Sequence, residues 1–327
     1  MATSTPYDDV FRTLLNDCSE LILPVLNEAF GEHYTGTERI EFLPNEHFLP
    51  HEDGDAEKRI TDSCFTVTSE ESGQLKRYHI ESQSTEDNTM LIRIFEYDTQ
   101  IALDSGNVDG NTLTVRFPHT AILYLRHTRN TPDAMTIRMI VPNGQISYKV
   151  PVLKVQSYDA EELFRKNLLF LIPFHLFAYE KHFDEYEKDA GKLQRLEANY
   201  GNIMKELEAL QNAGKISEFT KRAIIDMAKE VVRHLAKKHE TVKEGVESIM
   251  GGKILNYEAK DILNKGRAEG RAEGRAEGRA EGRFEGRIDN LLQNVRALMK
   301  KTGWDKNEAM DTLDVTPHDR AIISPQL

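Results

Sequence analysis

Apolar residues recur at helical spacing from the start of the chain. Val10, Phe11, Leu14, Leu15, Ile22, Val25, Leu26 and Ala29 fall on one face, which predicts helix with that face in a core. Thr5 suits the N-cap and Pro6 the first helical position, while Asp8 stands three residues after the cap, where a carboxylate can return a bond to the cap backbone. The pattern then shortens. Segments over 40–49, 59–68 and 76–82 read as extended, and the stripe Leu91, Ile94, Phe95, Ile101 and Ala102 predicts a helix over 88–104. The run from Thr120 to Leu125 is apolar on both sides, as a central strand requires. Met135–Val141 and Gln145–Val150 flank Pro142-Asn143-Gly144 and predict a hairpin. The order α, several β, α, β describes a mixed α/β domain over residues 1–155.

After Asp159 the periodicity is helical again. Leu163, Phe164, Leu168, Leu171, Phe174 and Phe177 lead into a charged stretch from Glu180 to Leu210, and 216–250 shows another amphipathic pattern. Residues 156–264 are therefore expected to form a helical arm or bundle. Residues 265–287 repeat Gly-Arg-Ala-Glu with a period of four. Wound as a helix, that period places Arg and Glu on nearly opposed stripes, and each glycine costs about 1 kcal/mol relative to alanine. The segment is either a solvated linker or a helix that needs a partner, such as a second copy of the chain. Residues 288–327, with Trp304, Ala309, Met310 and Leu313, are expected to form a small helical segment.

Composition narrows the class. Hydrophobic residues make up 39% of the 327, enough to bury a core, which excludes disorder throughout. The N-terminal residues are polar, and the longest apolar run, Leu168 to Tyr179, contains Pro173 and His175. Neither export signal nor membrane span is expected, and the expected compartment is cytoplasmic. Cys18 and Cys64 are too few for a disulfide framework, as is ordinary in a reducing compartment. The net charge of −12 lies wholly within residues 1–150, which hold 24 acidic and 12 basic side chains. Binding nucleic acid by charge alone would need a basic face, so it is disfavoured unless a divalent cation reverses the local sign.

One pair of segments carries candidate chemistry. Along Arg77 to Gln83, alternation puts His79, Glu81 and Gln83 on one face and Tyr78, Ile80 and Ser82 on the other. A hairpin centred on Glu70-Glu71-Ser72-Gly73 pairs residues whose numbers sum to 143, which sets Asp62 opposite Glu81. Such partners have Cβ atoms roughly 4.5–5.5 Å apart. Carboxylates that close repel unless a proton or cation lies between them, and a hard divalent ion such as Mg²⁺ is the simplest solution.

Asp62, then Glu81-Ser82-Gln83 on the next strand, then a helix carrying Arg93 and Tyr97 together resemble the recombination-promoting nuclease and transposase-like group of the PD-(D/E)XK nuclease superfamily. Asp8-Asp9-Val10-Phe11-Arg12 is similar to that group's opening motif, and Gly-Arg-Ala-Glu repeats are common near its C-termini. The resemblance covers residues 5–155 and, loosely, the repeat. It implies a restriction-endonuclease-like αβββαβ core that cleaves DNA with Mg²⁺ or another divalent cation such as Mn²⁺. By that resemblance Asp62 and Glu81 are the metal ligands, and Gln83 completes the catalytic set where the superfamily usually has lysine. Glutamine supplies no positive charge but can orient a water. No proline precedes Asp62.

Other candidates carry two readings each. Asp8 is either a capping residue or a ligand, and His79 either a structural histidine or a partner of the metal-binding carboxylate. Arg93, Tyr97 and Gln100 share a helical stripe that faces either a substrate cleft or solvent. The function expected is a metal-dependent DNA endonuclease associated with recombination or a mobile element. The alternative is an inactive protein that keeps the nuclease fold and oligomerises through its helical C-terminal half.

Overall fold

The computed structural model describes residues 5–43, 46–50, 56–60, 63–69, 73–84, 89–251, 288 and 290–327. It divides into two compact units, Met1–Lys253 and Ile254–Leu327. The first opens with α1 (Pro6–Asp17), a 3₁₀ turn over Ser19–Ile22, and α2 (Leu23–Phe30). The start of α1 is the reciprocal cap its sequence predicts. Thr5 N–H donates to Asp8 Oδ2 at 2.6 Å, and Asp8 N–H donates to Thr5 Oγ1 at 3.4 Å. The capping role expected of Asp8 is formed.

Among the described residues ten strands follow: β1 (Arg39–Phe42), β2 (Glu46–Pro50), β3 (Ala56–Ile60), β4 (Cys64–Thr68), β5 (Leu75–Gln83), β6 (Asn107–Asp109), β7 (Thr112–Thr114), β8 (His119–Tyr124), β9 (Ala134–Val141) and β10 (Gly144–Lys154). The helix α3 (Met90–Asp104) and the two-stranded β6–β7 ladder lie between β5 and β8 in the chain. Six strands form one mixed sheet in the order β1-β4-β5-β8-β10-β9. β1, β4 and β5 run antiparallel, β5, β8 and β10 are parallel, and β9 returns antiparallel on the edge. The expected hairpin across Pro142-Asn143 is β9–β10. The expected extended segments at 40–49 and 59–68 are each divided, because β2 and β3 pair with one another in a separate two-stranded ladder.

Helices cover both sheet faces. On one face Phe65, Val67, Tyr78, Ile80, Ala121 and Leu123 pack with α1, α2 and most of the later helices in one hydrophobic cluster that runs from Val10 to Met250. The later helices are α4 (Ala160–Arg165), α5 (Phe183–Tyr186), α6 (Ala190–Asn212), α7 (Glu218–Leu235) and α8 (Glu240–Ile249). The helical region expected from 156 onward thus shares the core of the α/β part instead of standing apart as an arm. The apolar run around Pro173 is its centre: Leu169–His182 winds as a 3₁₀ helix, and every residue from Leu169 to Phe177 is buried. No helix among the described residues is long and apolar enough to cross a membrane. On the other sheet face, Met90 and Ile94 of α3 pack on Ile122, Tyr124, Ile137, Val150 and Val152.

In the second unit, α9 (290–302) is followed by α10 (Lys306–Thr312) and α11 (Pro317–Ile323). Ala309, Met310, Val315 and Ile323 close with Leu292 and Val295 into a small core. Trp304 is 41% exposed. The Gly-Arg-Ala-Glu repeat over 265–287 lies outside the described residues.

Candidate functional site

The site grows out of the way α3 lies along β5. Two residues of strand advance about 6.6 Å and four residues of helix about 6 Å, so alternate strand positions can meet successive helical turns. β5 and α3 run in opposite directions, and the contacts step accordingly. Arg77 Nη1 donates to Ile101 O at 3.3 Å and to Ser105 Oγ at the C-terminal end of α3. His79 meets Asp98 one turn earlier, and Glu81 meets Arg93 beyond that. The opposite residues of β5, Tyr78 and Ile80, lie in the large hydrophobic cluster.

His79 is the centre of the polar face. Its Nδ1 lies 2.7 Å from Asp98 Oδ1 and its Nε2 lies 3.0 Å from Glu81 Oε1. Both ring nitrogens face carboxylates, so both donate only when the ring is an imidazolium. Burial opposes that charge, but the hydrogen bonds and charges of Asp98 and Glu81 outweigh it and raise the pKa to about 10 from the ordinary 6.5. Asp98 Oδ1 also accepts from Thr120 Oγ1 at 2.7 Å, and its Oδ2 accepts from Tyr148 OH at 3.3 Å. Glu81 Oε2 faces Arg93 Nη2 at 3.7 Å. His79 and Asp98 side chains are wholly buried and that of Glu81 is 3% exposed. Two carboxylates and two cations cancel, which is the condition for holding such charges inside a protein.

The expected residues fare differently. Glu81 is buried on the α3 face as alternation predicts, and Gln83 is half-buried at the end of the same strand. Asp62 lies outside the described residues. The register from which its pairing with Glu81 is expected is observed among the described residues: Cys64↔His79, Phe65↔Tyr78 and Thr66↔Arg77 each sum to 143. Ile80 N–H donates to Ser63 O at 3.3 Å in continuation of that ladder. Tyr97 places its ring edge-on to His79, with centroids 6.0 Å apart. Gln100 instead donates to Asp104 Oδ1 at 2.8 Å on the exposed side of α3, so the stripe that begins at Arg93 leaves the site after Tyr97.

Asp98 is the residue that the apolar pattern conceals. It stands four residues after Ile94 and three before Ile101, at a position of the buried stripe. A charge at such a position is itself the signal that a buried partner must exist. Arg126 also bears on the site. Its Nη1 donates to Ser84 O at 2.9 Å, one residue past Gln83, while Nε and Nη2 grip Glu180 at 2.6 and 2.8 Å. The guanidinium lies 4.7 Å from the centroid of Phe177. Through these contacts the end of β5 is tied to the helical part of the same unit.

For a divalent ion, Glu81 supplies a carboxylate whose Oε1 is held by His79 and whose Oε2 has Arg93 beyond hydrogen-bond reach. Among the described residues, no three His, Cys, Asp or Glu side chains are grouped so as to hold a metal ion. The carboxylate chemistry therefore fits a hard cation only with a further ligand, the role expected of Asp62. No family model, curated protein or solved structure matches the chain.

Proposed function

We propose that this chain is a divalent-metal-dependent DNA endonuclease of the PD-(D/E)XK kind in which Glu81 is the central carboxylate. The observation that carries this reading is the buried Glu81 itself, held at one oxygen by His79 and turned at the other toward Arg93. Buried charge on one face of an otherwise apolar sheet is costly to keep and is characteristic of functional sites. The main sheet supports it further: a helix, antiparallel β1, β4 and β5, the helix α3 and parallel β8 occur in the order that the sequence resemblance implies, with the β2–β3 and β6–β7 ladders as additions to it.

In this reading Glu81 and Asp62 would hold Mg²⁺ or Mn²⁺. Such an ion, when bound, supplies an activated water and neutralises charge that develops on the phosphoryl oxygens. The chain's own residues do the positioning. Asp98 orients His79, and His79 holds Glu81 Oε1, so the free carboxylate edge is fixed without help from solvent, as partners behind metal ligands generally do. Arg93, on the first turns of α3, faces that edge and can pair with a phosphate. Gln83 can orient a water by its amide but does not add the charge that lysine brings. Incubation of plasmid DNA with Mg²⁺ or Mn²⁺ tests the proposal. The full chain should nick it, and Glu81→Gln should abolish nicking while the circular dichroism spectrum stays unchanged; nicking that survives the substitution rejects Glu81 as the centre.

One observation favours a second reading. His79 and Arg93 already balance Glu81 and Asp98, so the cluster is neutral with no metal at all, as a structural network in an inactive interaction protein would be. Self-association through the 265–287 repeat belongs to either reading. Light scattering should show a dimer or larger that shifts toward monomer when residues 264–327 are deleted.

A further inference from the structure

A polar cleft lies away from β5, among the 3₁₀ helix Leu169–His182, α5 and α6. Its volume is about 420 Å³, within the range of small-molecule sites. Helical spacing builds both walls. Tyr179, His182 and Tyr186 line one side, and Lys192, Arg195 and Asn199, three and four residues apart on α6, line the other.

The lining is rich in donors and poor in acceptors. Arg195 is exposed and makes no hydrogen bond or ion pair with the described residues, so its planar fork is uncommitted. Lys192 Nζ lies 2.7 Å from Glu185 Oε2, and the same glutamate has His182 Nδ1 at 3.5 Å. Glu185 is the one acidic residue of the lining; its pKa is held below the ordinary value by hydrogen bonds from Lys192 and His182 and by their charge. Lys192 and Arg195 against Glu185 leave one net positive charge, in a protein whose total is −12. Asn199 Nδ2 donates to Tyr179 OH within the lining. The rings of Tyr179 and Tyr186 have centroids 6.4 Å apart, and those of His182 and Tyr186 6.3 Å, so an aromatic wall faces the cationic one.

We infer that this cleft binds a nucleoside monophosphate, with the phosphate on Arg195 and Lys192 and the base against the Tyr186 and His182 rings. A guanidinium fork matches phosphate oxygens two at a time, and aromatic faces accept any base. The inference does not depend on the reading of Glu81.

Calorimetric titration of the full chain in EDTA, with deoxyadenosine monophosphate as the probe and inorganic phosphate and deoxyadenosine as comparison arms, tests it. The nucleotide should bind at least tenfold more tightly than either fragment. Arg195→Ala should remove most of that advantage by weakening the nucleotide but not deoxyadenosine, and Tyr186→Ala should weaken the nucleotide but not phosphate. Glu81→Gln should leave all three affinities unchanged. Inorganic phosphate binding as tightly as the nucleotide would overturn the base contact. Absence of binding at millimolar nucleotide, loss of binding in Glu81→Gln, or indifference to both cleft substitutions would overturn the site.

Discussion

The two faces of β5 solve opposite problems with alternate residues of one strand. Tyr78 and Ile80 are buried against helices and other strands by hydrophobic contact, which is tolerant of small changes in shape. His79 and Glu81, equally buried, meet α3 through charges whose positions are fixed to within a hydrogen bond. The apolar face contributes stability. The polar face contributes little net stability, because desolvation offsets its pairing, but it fixes where one carboxylate points. A strand of nine residues thereby joins a core to a site.

The comparison predicts effects of different size and kind. Removing the central cation should be the most damaging change. His79→Ala leaves Asp98 and Glu81 buried without their common partner and should cost about 3–5 kcal/mol in urea unfolding. A loss below about 1 kcal/mol would mean that the pair is solvated or protonated in the folded protein.

Dependence on pH separates the faces next. The folded pKa of His79 lies above its ordinary value, so its contribution is fully present below about pH 6.5, fades between 6.5 and 10, and is absent above that. Between pH 7 and 9 the wild type should lose stability faster than His79→Gln, by up to about 1.4 kcal/mol per pH unit, the slope for one proton. Parallel curves would place the histidine's charge elsewhere.

On the apolar face the expected change is smaller and chemically silent. Ile80→Val should cost about 1 kcal/mol with metal affinity unchanged. Gln83→Lys, at the end of the polar face, should leave stability nearly untouched and cleave DNA as fast as the wild type or faster, since an ammonium supplies the charge glutamine lacks. Complete loss of cleavage would show that the amide makes a specific bond.

Local chemistry was legible in the sequence, and distant packing was not. The cap of α1 follows from Thr5, Pro6 and Asp8, and the β4–β5 register from turn position and alternation, because both depend on neighbours in the chain. Asp98 was missed because a stripe defined by apolar residues passes over a charge within it, although Ile94 and Ile101 place it on the buried side. The β2–β3 hairpin stays hidden because nothing in the sequence of 40–49 or 59–68 marks a change of partner within either segment. That Phe170, Phe174 and Phe177 share a core with Phe11 and Phe65 depends on contacts between residues far apart in sequence, for which periodicity carries no information.

If the polar face of β5 presents Glu81 as a metal ligand, calorimetry shows it without a DNA substrate. Mn²⁺ titrated into the wild type, Glu81→Gln and Asp62→Asn should show one site per chain in the wild type and at least a tenfold loss of affinity in each variant, with all three proteins folded. No binding by the wild type, or the same affinity in Glu81→Gln, would reject Glu81 as a metal ligand and leave the His79 cluster as a structural network.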